Sequence, residues 1–130
     1  MIVLDASAAV EWLLHSSAGC RIEERLYAAR ESLHAPHLLD LEVAQTFRRL
    51  TRNRAVSADR AEEALSDLMV LRILRHPHSS LLPRIWQYRH NLTAYDAAYI
   101  ALAEKLGAAL ITRDARLAAA SGHTATIELF

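Results

Sequence analysis

Four carboxylates occupy positions where an α/β protein exposes polar groups. Asp5 and Asp114 each follow a short apolar run that predicts a buried strand, and Asp96 and Glu42 lie early in predicted helices. In a parallel sheet, the carboxyl ends of the strands share one edge with the N-termini of the helices that run back against it. Four carboxylates at that edge would repel one another, which raises their pKa values. A divalent cation relieves this repulsion, and all-oxygen ligands favour Mg²⁺ or Mn²⁺ over zinc.

Such an acidic cluster is suited to phosphodiester chemistry. A bound Mg²⁺ lowers the pKa of a coordinated water, orients that water, and neutralises charge on the phosphate and on the leaving oxygen. The chain contains no other recognisable catalytic motif. It has neither a GxxxxGK[ST] phosphate loop nor a GxGxxG fingerprint, and no Ser, His and Asp set with motif spacing.

Taken singly, each acid also has a simpler explanation. Aspartate is a favoured N-cap, which is enough to account for Asp5 or for Asp114. Asp96 is placed to complete a capping box with Thr93, and Glu42 is acceptable as a solvated helix residue. Only the joint pattern of the four acids favours a shared site.

Other polar residues near these acids allow both a functional and a structural interpretation. Ser7 follows Asp5 by two residues, where its hydroxyl can bond a carboxylate or a phosphate, but a serine in the first turn of a helix explains it equally well. A run of cations ends a predicted helix, where it suits either an RNA backbone or the helix dipole. These cations are Arg48, Arg49, Arg52 and Arg54.

The elements that position these residues alternate between strand and helix. Apolar runs predict strands at residues 2–4, 33–36, 70–74, 109–112 and 124–129, with a loop at 76–80. Helical spacing predicts helices at residues 6–14, 19–32, 38–54, 81–90, 93–106 and 114–120, and Ser57 is predicted to cap another. The alternation predicts an α/β fold with helices on both faces of a parallel sheet of about four to five short strands.

Length and composition predict one globular domain over residues 1–130. The chain is 52% hydrophobic and 23% charged, and its 15 basic residues balance its 15 acidic ones, so net charge indicates no partner. Cys20 is the only cysteine, which excludes an intramolecular disulfide and a cysteine metal site. The N-terminal residues lack the basic region of a signal peptide, and no apolar run approaches the ~20 residues of a membrane span. We therefore expect a cytoplasmic protein with no membrane segment.

Four stretches resemble the motifs of the PIN-domain ribonucleases, and most closely those of the VapC toxins of bacterial toxin–antitoxin pairs. They are residues 1–8 (MIVLDASA), the segment from Pro36 through residues 39–43 (LDLEV), residues 92–99 (LTAYDAAY) and residues 106–114 (LGAALITRD). Each stretch is a weak signal alone, but their order and spacing together are specific and span essentially the whole chain. The resemblance implies a PIN-like three-layer α/β/α fold.

The resemblance also implies an activity, an ion and partners. We expect an Mg²⁺-dependent endoribonuclease, with Mn²⁺ as a substitute ion, that cleaves RNA by hydrolysis of the phosphodiester bond. We also expect a homodimer and a cognate VapB-type antitoxin that blocks the site. Thr112 carries over as a hydroxyl near the metal. We expect Ser7 to be a second supporting residue of the same site. The residues that carry over as metal ligands or water-activating groups are Asp5, Glu42, Asp96 and Asp114.

Two other classes of protein also place acids at the ends of parallel strands. A phosphoryl-transfer domain does so, but a phosphatase requires Asp-x-Asp at the first strand, where Ala6 and Ser7 follow Asp5 here. A phospho-acceptor receiver requires a lysine after a late strand, and the only lysine, Lys105, lies at a helix end. The third possibility is a catalytically inactive binding module whose acids only cap helices.

Overall fold

The structure, a computed structural model, describes residues 1–130 except for the side chain of Ala29. The strands are β1 (Ile2–Leu4), β2 (Leu33–Pro36), β3 (Ile73–His76), β4 (Ala109–Thr112) and β5 (Ile127–Leu129). The helices are α1 (Ala6–Leu13), α2 (Ser17–Ala29), α3 (Leu38–Arg52), α4 (Ala58–Val70), α5 (Leu82–Gln87), α6 (Ala94–Leu106) and α7 (Ala115–Ala118), with a 3₁₀ turn at Ser79–Leu81. In the described chain, none of these helices is both long enough and apolar enough to cross a membrane.

The strands form one parallel sheet in the order β3-β2-β1-β4-β5. Helices cover both of its faces, so the predicted three-layer α/β/α fold is confirmed. In the central pair of strands, Leu4 lies in register with Ile111. Because β1 and β4 run in the same direction, the chain leaves both strands at the same edge of the sheet.

The helix α6 is buried along its middle against the sheet. Every residue from 97 to 103 is buried, and the helix contacts β1, β2, β4 and α5. A helix that is apolar on nearly all sides must be enclosed by the rest of the protein. These buried residues place the first turn of α6 at the edge where the sheet ends.

The ends of α6 are fixed by the residues that its sequence predicts. The Thr93 hydroxyl accepts a hydrogen bond from the backbone N–H of Asp96 at 3.1 Å, as an N-cap does. Gly107 ends the helix with φ of 60°, a left-handed conformation in which glycine carries no Cβ penalty. The predicted Ser57 cap of α4 is also present, because its hydroxyl accepts from the N–H of Arg60 at 3.2 Å.

The predicted strand at 70–74 and loop at 76–80 are both wrong in position. The helix α4 continues to Val70, and β3 begins at Ile73 and extends to His76. Because β3 lies at the edge of the sheet, it tolerates polar side chains, and a prediction based on apolar runs does not include them. The Arg75 guanidinium pairs with Asp40 on α3 at 2.8 Å, and His76 bonds the ring of His34 on β2 at 2.9 Å.

Other predicted boundaries differ from the structure by one to three residues. The helix predicted at 19–32 starts at Ser17, because the hydroxyl of Ser16 caps it by accepting from the N–H of Gly19 at 3.0 Å. The helix predicted at 81–90 ends at Gln87, with Pro83 in its first turn as expected. The closing strand is limited to Ile127–Leu129.

Glu104 on α6 accepts a cluster of hydrogen bonds that joins three parts of the chain. Its carboxylate accepts from Nε of Arg84 at 2.8 Å, from the hydroxyl of Tyr88 at 2.7 Å and from the backbone N–H of Thr124 at 2.9 Å. These bonds tie α6 to α5 and to the segment that leads into β5. The Arg84 guanidinium, helped by the other donors, lowers the pKa of Glu104 from about 4.5 to about 2.

We expect Glu104→Gln to lower the free energy of unfolding by about 2 kcal/mol at pH 7. A carboxyl group whose pKa falls on folding stabilises the native state above its unfolded pKa, and this contribution is lost as the pH falls towards about 2. The expected loss of stability is smaller than the full pKa shift implies, because Arg84 is 40% exposed and solvent screens its charge. Urea unfolding at pH 7 and at about pH 3 measures the difference, which should shrink at the lower pH.

The control for this prediction is Glu63→Gln. Glu63 pairs with Arg60 across one turn of α4 and is 67% exposed, so its loss should cost about 0.5 kcal/mol or less. An equal cost of Glu104→Gln at both pH values would contradict the ionic origin of the stabilisation.

Candidate active site

The structure brings the four predicted carboxylates together in one cleft of about 670 Å³. Asp5 lies between β1 and α1, and Asp114 lies between β4 and α7. Glu42 is in the second turn of α3, and Asp96 is in the first turn of α6. The cleft therefore opens where two neighbouring parallel strands end and two helices begin.

Asp5 is held by hydroxyl groups and not by the helix that it precedes. It occupies the N-cap position of α1, but its side chain makes no capping hydrogen bond. Its Oδ2 atom accepts from the hydroxyl of Ser7 at 2.5 Å and from the hydroxyl of Thr112 at 2.7 Å. Within the described chain Oδ1 accepts no hydrogen bond, so this oxygen is free to bind a ligand in the cleft.

Backbone groups fix the direction of the two hydroxyl protons. The N–H of Arg113 donates to Oγ of Ser7 at 2.9 Å, and the N–H of Asp114 donates to Oγ1 of Thr112 at 3.0 Å. Each hydroxyl therefore accepts from the backbone and donates its own proton to Asp5. The residues Ser7 and Thr112, singled out in the sequence as supporting groups, both lie in contact with this carboxylate.

Glu42 is held by a residue to which the sequence assigned no separate role. Its Oε2 atom accepts from the hydroxyl of Tyr99 at 2.5 Å. Tyr99 is fully buried on α6, three residues after Asp96 and so on the same face of the helix. The signal that would have found it is this spacing from Asp96, in a helix whose other residues at that face are apolar.

The carboxylates of the cleft destabilise one another. Burial raises the pKa of Glu42, and Asp5 and Asp96 add to the rise, against the hydrogen bond from Tyr99, which lowers it. Burial also raises the pKa of Asp96, and Asp114 and Asp5 raise it further. Negative charge in this cleft is therefore only partly compensated by the protein itself.

Asp114 makes the capping bonds that the simpler interpretation predicted. Its Oδ1 atom accepts from the backbone N–H of Arg116 at 2.8 Å and of Leu117 at 3.3 Å. Its Oδ2 atom meets the guanidinium of Arg116 at 3.6 Å, and that side chain is 92% exposed. One oxygen of Asp114 is thus fixed by the backbone of α7, and the other is paired only with a solvent-exposed arginine.

The rim of the cleft combines cations with an exposed aromatic ring. Arg49, from the end of α3, and Arg113, from the end of β4, both line it. Tyr95 also lines it and is 64% exposed. Of the four arginines that the sequence singled out at the end of α3, the cleft is lined by Arg49.

The donors of this cleft fit a divalent cation chemically, although they do not form a preformed coordination site. Among the side chains that the structure describes, no three His, Cys, Asp or Glu groups are arranged as metal ligands. The carboxylates are hard oxygen donors, and their mutual repulsion is the kind that a small divalent cation relieves. Asp5 and Glu42 each keep one oxygen free while the other is fixed by hydroxyl donors.

Comparison with known proteins agrees with this fold. Residues 2–122 match the PIN domain family. Ribonuclease VapC12 of Mycobacterium tuberculosis is 42% identical over 129 residues, which cover 99% of this chain and 98% of that protein. Ribonuclease VapC9 of the same organism is 45% identical over 117 residues, which cover 90% of this chain and 88% of that protein. The crystal structure of PAE2754 from Pyrobaculum aerophilum has a TM-score of 0.70 and 26% identity, covering 97% of this chain and 81% of that one.

The chain therefore belongs to the PIN domain family. Nucleases of this family generally use divalent metal ions. Within the family, the identity to its relatives over almost their whole length places the chain among the VapC ribonucleases, which are endoribonucleases of VapBC toxin–antitoxin pairs. The family resemblance seen in the sequence is confirmed, and it favours a ribonuclease over a phosphoryl-transfer domain or an inactive binding module.

Proposed function

We propose that this protein is the toxin of a VapBC-type pair and that it hydrolyses RNA phosphodiester bonds with Mg²⁺ as its ion and Mn²⁺ as a substitute. The observation that supports this most strongly is the convergence of four carboxylates in one cleft, where the pKa values of Glu42 and Asp96 are raised by burial and by their acidic neighbours. When bound, a divalent ion supplies an activated water and offsets charge on the phosphate.

We assign the carboxylates separate roles. Asp5, Asp96 and Asp114 hold the ion directly or through water, and Glu42 binds the ion or orients the attacking water. Asp5 suits its role because Ser7 and Thr112 bond to one of its oxygens and leave the other without a hydrogen bond. Glu42 suits its role because it projects from a different helix, α3, across the same cleft.

The rim residues suit a polyanionic substrate. RNA brings negative charge to a cleft that is already acidic, and the guanidinium groups of Arg49 and Arg113 offset that charge on the surface where its backbone would pass. The exposed ring of Tyr95 offers a face on which an unpaired base stacks.

Membership of the VapC ribonucleases supports an antitoxin partner for this chain. We propose that a cognate VapB-type antitoxin covers the cleft, and that the protein acts in the cytoplasm, where RNA is present. We also propose a homodimer, for which the exposed Leu82 and Trp86 on α5 offer apolar surface. Light scattering of the purified 14.5 kDa chain tests the dimer, which should have twice that mass.

Cleavage of RNA in water enriched in ¹⁸O tests the proposed hydrolysis. Attack by water places one ¹⁸O atom on the phosphate of the product, which mass spectrometry detects on the newly formed end. The reaction should stop when EDTA removes the ion and resume when Mg²⁺ or Mn²⁺ is restored. An unlabelled 2′,3′-cyclic phosphate would instead show attack by the ribose hydroxyl, and undiminished cleavage in EDTA would exclude the metal. Either result would contradict the proposal.

A further inference from the structure

The hydroxyl of Tyr99 is the hydrogen-bond donor to Glu42. It donates to Oε2 at 2.5 Å, and within the described chain no other group donates to that carboxylate. Tyr99 has no exposed surface, whereas Glu42 is partly exposed at the cleft. A partly exposed carboxylate is thus hydrogen-bonded to the hydroxyl of a fully buried ring.

The position of Tyr99 links two of the four carboxylates. It lies on α6 three residues after Asp96, so both side chains project from the same face of one enclosed helix. Glu42 comes from α3, which is 57 residues away along the chain from Tyr99. The hydrogen bond therefore sets the carboxylate of α3 relative to the carboxylate at the start of α6.

Packing of the ring does not by itself require the hydroxyl. A phenylalanine would fill the same apolar space, and a buried hydroxyl costs free energy unless it finds a partner. Glu104 differs from Glu42 in its number of donors, because its carboxylate accepts from Tyr88 and also from Arg84 and Thr124. Glu104 would stay in place without its tyrosine, whereas Glu42 would lose the donor that holds it.

We propose that Tyr99 is a positioning residue of the site, whose buried hydroxyl fixes one oxygen of Glu42 and thereby directs the other oxygen to the ion or to the attacking water. The inference rests on the proposed function. Its physical basis is that the partners of a ligating group orient it, so their loss typically lowers metal affinity or activity by about ten- to hundredfold.

The test compares Tyr99→Phe with Tyr88→Phe. Both changes remove one buried tyrosine hydroxyl that donates to a glutamate, but only the glutamate bonded to Tyr99 lines the cleft. Mn²⁺ binding to the metal-free protein is measured by calorimetry, and RNA cleavage is measured in parallel. We expect Tyr99→Phe to weaken Mn²⁺ binding or to lower kcat by about ten- to hundredfold, with little change in KM for RNA. We expect Tyr88→Phe to match wild type in both.

A double-mutant cycle with Glu42→Gln separates positioning from general destabilisation. If Tyr99 acts through Glu42, Tyr99→Phe has no further effect on Mn²⁺ binding or on kcat in the Glu42→Gln background. Losses that simply add would overturn the inference, as would a Tyr99→Phe variant equal to Tyr88→Phe while the wild type binds Mn²⁺ and cleaves RNA. A wild type that neither binds Mn²⁺ nor cleaves RNA would overturn the proposed function, and the inference with it.

Discussion

Replacing Asp96 with asparagine is expected to abolish RNA cleavage while leaving the metal-free protein at least as stable as wild type. Burial, Asp114 and Asp5 all raise the pKa of Asp96, so its ionised form costs folding free energy at neutral pH. A neutral asparagine removes that cost. The same change removes a carboxylate from the proposed ion site. Loss of a residue that only orients a metal ligand lowers activity by up to about a hundredfold, so loss of a proposed ligand should lower it by at least that factor.

The control for this prediction is Asp59→Asn. Asp59 also lies in the first turn of a helix behind a hydroxyl N-cap, on α4, but does not line the cleft. It should therefore keep wild-type cleavage. Thermal unfolding in EDTA and cleavage in Mg²⁺ are measured for both variants. Full activity of folded Asp96→Asn would remove this residue from the site.

The substitution Gly19→Ala is expected to lower the free energy of unfolding by about 3 kcal/mol or more and Tm by about 10 °C. A Cβ atom there would lie 2.0 Å from the carbonyl oxygen of Glu11 and 3.0 Å from Cα of Trp12. These are backbone atoms of α1, so α2 must move away from α1 as a whole. Since α1 also carries Ser7, which donates to Asp5, we expect cleavage to weaken as well.

Gly107→Ala is the matched control for Gly19→Ala. At Gly107 a Cβ atom meets nothing within 4 Å, but φ is +60°, so only backbone strain of about 1 kcal/mol is expected. Urea unfolding of both variants measures the difference. Equal stability of the two variants would show that α1 and α2 are not packed as closely as described.

The elements that position the carboxylates were predictable from sequence because their signals are local. The apolar run before Asp5 and the one before Asp114 are short, and both are buried in the centre of the sheet. The cap at Thr93 and the stop at Gly107 define α6 from two residue types alone. Since right-handed crossovers place the ends of parallel strands on one edge, the shared edge of the sheet was predictable from the alternation of these elements.

The features that were not predicted depend on contacts between distant parts of the chain. The strand β3 was predicted at residues 70–74 and lies at Ile73–His76, because this edge strand includes Arg75, which is anchored by Asp40 of α3, and the apolar pattern ends before it. Tyr99 lies in an apolar helix, where its spacing from Asp96 places it on the same face as that acid but indicates no partner for its hydroxyl. Only folding shows that its hydroxyl meets Glu42, because neither position predicts the other.

The most direct test of the proposed function is cleavage of total bacterial RNA by the purified protein. Wild type and Asp96→Asn are compared in Mg²⁺ and in EDTA, after circular dichroism has shown that both are folded and mass spectrometry has shown that both are free of antitoxin. We predict discrete RNA products only from wild type in Mg²⁺. The same RNA pattern in all four reactions would contradict the assignment of this cleft as a metal-dependent ribonuclease site.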